Sequence, residues 1–194
     1  MSETIASADD AAVLAIAQLI RGRRTINLFA PDPVGVEPVL DAIDLARWAP
    51  NHKLTEPWRF YLIGPATLER VTDCWAGFEA ETKGEAAGSA RRKRLAGIPG
   101  HFVVTSARHA DVHVDRENYA ACCCAVQNLM LYLWQRGIGV KWTTGGITRQ
   151  PRLYDALGID GAAETIVGYF WYGRPAVVAP QQRRAAEDFI VRLA

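Results

Sequence analysis

The sequence predicts an α+β domain, a small sheet held between helices. Three observations carry that prediction. Helical and strand-like patterns alternate irregularly along the 194 residues, without the regular βα rhythm of a doubly wound fold. Four short runs rich in aromatic and branched residues read as strands, enough for one modest sheet. Between them, residues 116–136 form a long helical stretch, YAACCCAVQNLMLYLWQR and its flanks, apolar on so many sides that it belongs in a core or an interface.

The chain reads as one domain over 1–194, with 1–8 a flexible start. Asp9 and Asp10 open a helix over 9–21, and their carboxylates suit its positive end. RGRRTINLF then breaks the period and PDPVGV is loop. VEPVLDAIDLARWA (36–49) is a second amphipathic helix, stopped by Pro50. WRFYLIG (58–64) reads as a strand and 65–87 as helix. From Gly84 to Gly100 the chain turns polar and contains SARRKR, so a mobile excursion is expected over 84–100. HFVVTSAR (101–108) is the second strand, IGVKWTT (138–144) the third and ETIVGYFWYG (164–173) the fourth, with a short helix over 149–158. The tail, Ala185–Ala194, is compatible with helix or strand.

Composition narrows the function. Apolar residues make up 49% and charged residues 22%, the balance of a globular protein, and a chain of this length buries a core without disulfide or metal staples. A formal charge of +1 gives no global pull toward nucleic acid or an anionic membrane. The basic run at 91–94 therefore reads as a solvated face. The acidic start does not resemble a signal peptide and no eighteen-residue apolar run occurs, so a cytoplasmic location without membrane contact is expected. The cysteines are Cys74 and the block Cys122–Cys124. They form no C-x-x-C pair, and three in a row diverge on a helix, so they read as small buried thiols rather than metal ligands.

Four constellations carry chemistry. Arg23-Arg24-Thr25 offers two guanidinium forks and a hydroxyl, a set that matches a phosphate, although a basic helix end has the same look. APNHKLTEPWRF (49–60) places Asn51, His52 and Lys53 between a helix end and a stiff strand, a ligand-shaping corner or an ordinary polar loop. Trp142-Thr143-Thr144-Gly145-Gly146 is either a strand end that presents backbone N–H groups to a flat ligand or a simple turn. Arg183-Arg184 is a basic pair before the tail. Gly137-Ile138-Gly139 is no dinucleotide fingerprint, because it follows a helix and precedes a strand.

In order along the chain, these segments resemble the nitroreductase family of FMN-dependent oxidoreductases. The triplet R-R-T stands where that family has R-R-S or R-H-S, and Ala49-Pro50 with Pro57-Trp58-Arg59-Phe60 follows its second helix as the family pattern does. Ile166-Val167-Gly168 and Gly173-Arg174-Pro175 echo the last strand. Asn51-His52-Lys53 stands where the compact YdjA-like branch has D-H-K, and Leu54 replaces the asparagine of larger members. In that branch W-R-S-G is in register with Trp142–Gly145, so Thr143 replaces an arginine.

The resemblance implies a mostly antiparallel central sheet flanked by helices and an intertwined homodimer with FMN at the subunit interface. It implies that Arg23, Arg24 and Thr25 grip the FMN phosphate, joined by Arg183 or Arg184. Trp142, Thr143, Thr144 and Gly145 would line the flavin, and Trp48 and His52 would approach it, the histidine from the partner subunit. Gln135, Arg136 and Gly137 would lie near the nicotinamide nucleotide. The activity implied is ping-pong electron transfer from NADH or NADPH to an electron-poor acceptor such as a nitroaromatic or quinone, with Arg24 stabilising the charge of the reduced ring and no side chain acting as acid or base. A flavin-binding or regulatory dimer without efficient turnover stays open, as do dehalogenation, flavin destruction and dehydrogenation on the same fold.

Overall fold

A computed structural model describes residues 9–193, so the expected flexible start at 1–8 lies outside the described residues. Helix α1 (Asp10–Gly22) is capped by Asp9, whose Oδ1 accepts from the Ala12 N–H at 2.6 Å. Helix α2 (Glu37–Ala46) has a proline in its first turn and buries Val39, Ala42 and Ala46, one face at helical spacing. Strand β1 (Trp58–Leu62) leads to α3 (Pro65–Lys83), which stops at Gly84 because that residue takes φ +93°, a conformation glycine adopts without penalty.

The polar stretch expected as an excursion is instead a helix, α4 (Glu85–Ala96), laid against α3. Its composition is polar because only Gly88 and Leu95 are buried. A side chain at Gly88 would meet the Ala76 carbonyl at 2.7 Å, so the missing Cβ permits the close approach. Arg91 completes the contact, its Nη2 2.9 Å from Glu79 Oε1 and its guanidinium 4.9 Å from the Trp75 ring.

Strand β2 (Gly100–Ala107), α5 (Val112–Gln135), β3 (Gly139–Thr143), α6 (Pro151–Leu157) and β4 (Glu164–Gly173) follow. The helix expected from 149 begins at Pro151, after a 3-10 turn over Gly146–Arg149, because proline lacks the N–H that an earlier start would use. The four strands form one antiparallel sheet in the order β1-β2-β4-β3, as expected of an α+β fold. Helices α2 and α5 cover one face over Phe102, Val104, Val140, Val167 and Phe170, whereas α3, α4 and α6 cover the other over Val103, Ile166, Tyr169 and Trp171. A bulge opposite Val104 and Thr105 shifts the alternation of β4, so Ile166 and Tyr169 face one layer and Val167 and Phe170 the other.

The tail is neither helix nor strand. Beyond a 3-10 turn over Ala186–Phe189 it runs exposed, with Ile190, Val191 and Leu193 all more than half accessible. Cys122 is buried, and desolvation first of all pushes its thiol up to about 11, but Cys124 is exposed, so the reading of uniformly buried thiols does not hold. No described helix is long and apolar enough to cross a membrane.

One buried base makes the core sensitive to acid. His101 on β2 is 4% exposed, with Nδ1 3.1 Å from the Tyr169 hydroxyl. Burial dominates and lowers its pKa from 6.5 to about 4, against smaller opposing effects from the Ile98 and Leu95 backbone. The folded state thus resists a proton that the unfolded chain accepts, so stability is intact above pH 6.5 and falls as pH drops from 6.5 toward 4. Unfolding measured across that window should show His101 contributing a loss of roughly 3 kcal/mol, which a His101→Leu variant lacks.

Candidate functional site

The expected site residues are assembled by a backbone clasp. After α1 the chain runs beside β3: Thr25 pairs in parallel with Val140, and the Ile26 N–H donates to the Val140 carbonyl at 3.2 Å. Phe29 pairs antiparallel with Pro175, the Ala30 N–H donates to Arg174 O at 2.8 Å, and the Ala176 N–H to Leu28 O at 3.0 Å. Gly139 is required here, since a side chain on it would overlap Ile26. The clasp thereby brings the segment after the first helix and the segment after the last strand to one edge of the sheet.

At that edge cations converge. Burial first, then the neighbouring Arg183 and Arg24, hold the Arg23 guanidinium below its ordinary range. Among the described residues no carboxylate pairs with Arg23, Arg24 or Arg183. Like charges crowded without counter-charge favour an anion, and two or more guanidinium forks suit a phosphate. Arg24 is partly committed, its Nη1 donating to Arg21 O at 2.5 Å and Arg23 O at 3.0 Å, the negative end of α1. Of the two tail arginines, Arg183 is the one whose charge bears on Arg23, whereas the Arg184 guanidinium lies 4.4 Å from the Phe189 ring.

The next wall is the end of β3. Trp142 Nε1 donates to Val167 O at 3.1 Å, and its indole lies over Gly168, where any side chain would overlap it. Thr143 Oγ1 is buried and has no hydrogen-bond partner among the described residues, an unused polar atom beside the exposed Thr144 and Gly145. Thr148 steadies the turn beyond, its Oγ1 donating to Gly145 O at 2.9 Å. These residues fit a polar, flat, phosphorylated cofactor: cations at one end, backbone and a free hydroxyl at the other.

The corner at 49–60 is placed differently. Lys53, Leu54 and Glu56 take φ of 55°, 53° and 44°, left-handed values that cost non-glycine residues energy. Asn51 holds the loop by accepting from the Glu56 N–H at 2.9 Å, and Thr55 donates to Asn118 at 3.1 Å. His52 borders an open groove of about 350 Å³ against α5, with Glu117 and Cys124 opposite, and Trp48 is 73% exposed. No hydrogen bond among the described residues links this corner to the arginine cluster. The chain thus brings Arg23, Arg24 and Arg183 near one another beside Thr25 at the start of β3, while His52 lies against α5 and Trp48 is exposed.

Gln135, Arg136 and Gly137 end α5 close to the end of α1: a Cβ on Gly22 would lie 3.5 Å from Trp134 Nε1. Arg174 Nη1 donates to the Arg136 carbonyl at 3.2 Å. Sequence reasoning missed Asn27, Arg94 and Lys141, which meet beside Thr25. Lys141 Nζ donates to Asn27 Oδ1 at 2.7 Å across 114 residues, a pairing no local pattern announces. A cavity of about 590 Å³ opens away from all of these, beside α6 with Arg108, Arg149 and Tyr154, and none of the expected cofactor residues lines it.

Comparisons with known proteins bear on the family and the fold. A family profile described as "Nitroreductase family" matches residues 20–174, which runs from the end of α1 to just past β4. YfhC of Bacillus subtilis, provisionally named an NAD(P)H nitroreductase, is 30% identical over 145 residues, covering 73% of this chain and 75% of its own. YdjA of Escherichia coli, named in the same provisional way, is 27% identical over 172 residues, covering 85% and 90%, in keeping with the compact YdjA-like branch. The crystal structure of the FMN-dependent nitroreductase NfnB from Mycobacterium smegmatis, in complex with NADPH, shares the fold with a TM-score of 0.75 at 17% identity, covering 94% of this chain and 99% of that one. With the profile spanning the clasp, the sheet and the long helix together, the chain belongs to the nitroreductase family.

Proposed function

We propose that this protein binds FMN and uses NADH or NADPH to reduce an electron-poor acceptor such as a nitroaromatic or quinone. The observation that carries the reading is the nearness of Arg24 and Arg183 to Arg23 beside the sheet edge, with no carboxylate paired to any of the three among the described residues. Bound FMN supplies the redox chemistry, accepting electrons from the nicotinamide and passing them on. The protein's residues grip and orient. Arg23 and Arg183 hold the phosphate through charge-assisted hydrogen bonds, with the Thr25 hydroxyl beside them. Trp142, braced by its bond to Val167, fixes the β3 end, and the Thr143 hydroxyl and the backbone of Thr144 and Gly145 meet the flavin. The nicotinamide nucleotide approaches along Gln135–Gly137.

The active form is a homodimer with FMN at the subunit interface. Helix α1 supports this, because it buries none of its own residues and leaves Val13, Leu14, Ile16 and Ile20 more than half exposed, an apolar row that needs a cover. Trp48, which is exposed, and His52, which lies in the groove against α5, reach the cofactor of the opposite subunit. Protons needed in turnover would come from water, so no side chain acts as acid or base. The acceptor reduced and the cytoplasmic location belong to the same proposal.

Purified protein should be yellow and carry FMN, and protein that remains colourless with added FMN overturns the reading. Arg23→Ala should weaken FMN binding by about 1.5–3 kcal/mol, read by fluorescence titration, and unchanged affinity removes Arg23 from the phosphate site. Stopped-flow mixing with NADH and with NADPH should bleach the flavin rapidly with at least one of them. Reduction over minutes by both indicates a flavin-binding dimer without efficient turnover. Light scattering should give twice the mass of the chain, and Ile16→Asp with Ile20→Asp should halve it.

A further inference from the structure

The cavity of about 590 Å³ beside α6 shares no lining residue with the proposed flavin site, and it has a chemistry of its own. Two arginines line it, Arg108 and Arg149. Arg108 is pinned where β2 ends: its backbone N–H donates to Ala163 O at 2.8 Å, and its Nε donates to Glu164 O at 3.3 Å. That anchoring fixes the guanidinium and leaves its two terminal amino groups without a partner among the described residues. Arg149 is exposed and is paired with no carboxylate among them. Tyr154 adds a third donor, because its hydroxyl accepts the Ile166 N–H at 2.9 Å and keeps its own proton for another acceptor. The floor is apolar, made by the buried Ile159 and Ile166. Against the two arginines the lining sets one acid, the exposed Asp155, so one positive charge is left over.

Size, charge and donor set define what fits. A cavity of this volume is in the range that holds a small organic molecule. A guanidinium fork matches a carboxylate through two parallel charge-assisted hydrogen bonds. One surplus positive charge suits a monoanion, whereas the second charge of a phosphate dianion would meet the Asp155 carboxylate without compensation. The isoleucine floor and the Tyr154 ring favour an apolar body over a sugar or a polyol. We propose that this cavity binds a small monocarboxylate with an apolar body. Arg108 and Arg149 hold the carboxylate, the Tyr154 hydroxyl donates to it, and the body rests on Ile159 and Ile166. The site is separate from the flavin reading and does not depend on it.

The test is calorimetric titration of the purified protein with benzoate, benzamide and phenyl phosphate. Benzoate should bind saturably with a dissociation constant of about 0.1–1 mM, and the neutral benzamide should give no saturable heat. Phenyl phosphate should bind more weakly than benzoate, and tighter binding overturns the carboxylate assignment. Arg108→Gln and Arg149→Gln should each weaken benzoate about tenfold or more, the loss of a charged hydrogen bond. Asp155→Asn should tighten it. Arg149 makes no ion pair in the fold, so its variant keeps the test valid even where thermal unfolding shows Arg108→Gln to be destabilised. Excess FMN should leave benzoate affinity unchanged. A benzoate titration that does not saturate, an Arg149→Gln protein with wild-type affinity, or displacement of benzoate by FMN overturns this inference. Failure to bind FMN overturns the flavin reading alone.

Discussion

The site depends on the backbone clasp between residues 25–30 and the sheet edge. A handful of main-chain hydrogen bonds, Ile26 to Val140, Ala30 to Arg174 and Ala176 to Leu28, fix two distant parts of the chain against β3. Side-chain chemistry follows from that geometry. Arginines at opposite ends of the sequence become neighbours, and Asn27 comes within reach of Lys141. Buried backbone groups must be paired, so the clasp is specific: Ile26 is fully buried, and its N–H finds its acceptor on β3. The cost of crowding like charges is carried by the hydrophobic layers on both sides of the sheet, which hold the frame while the cations wait for an anion.

Charge is handled differently elsewhere in the molecule. Glu164, 5% exposed, accepts from the Arg59 guanidinium at 2.7 Å and from the Tyr61 hydroxyl at 2.8 Å, with Thr105 also donating. Glu79 is likewise doubly paired. Those buried carboxylates are satisfied by partners on neighbouring elements, as structural charges must be. The arginine cluster and the Lys141 group are the opposite case, cations gathered with hydroxyls and amides but no acid. That contrast, more than the number of basic residues, separates structure from site in this fold.

Much of this was legible in the sequence, for physical reasons. Alternation and length gave the strands, and the apolar run at 116–136 gave the central helix, because burial on several sides leaves a one-dimensional trace. Arg23-Arg24-Thr25 and Trp142–Gly145 were legible as motifs, and the structure places both at one edge. The helix at 85–96 was hidden because its stability comes from Glu79, Trp75 and a missing Cβ at Gly88, all tertiary. The burial of His101 against Tyr169 was hidden for the same reason. Asn27, Arg94 and Lys141 were silent because each is an ordinary residue until the clasp brings them together. The role expected of Arg24 rested on its position in a triplet, which says nothing about where a long side chain turns.

The corner at 51–56 bears on how this protein can change over generations. Three side-chain-bearing residues, Lys53, Leu54 and Glu56, are held left-handed, and each such residue costs about 1–3 kcal/mol relative to relaxed backbone. Glycine or asparagine at those positions would relieve the strain, so selection for stability alone would drive the loop toward them. Lysine, leucine and glutamate there hold the loop in its shape at a cost that glycine would not incur. The corner is therefore a place where a single change to glycine would add stability while loosening a fixed shape.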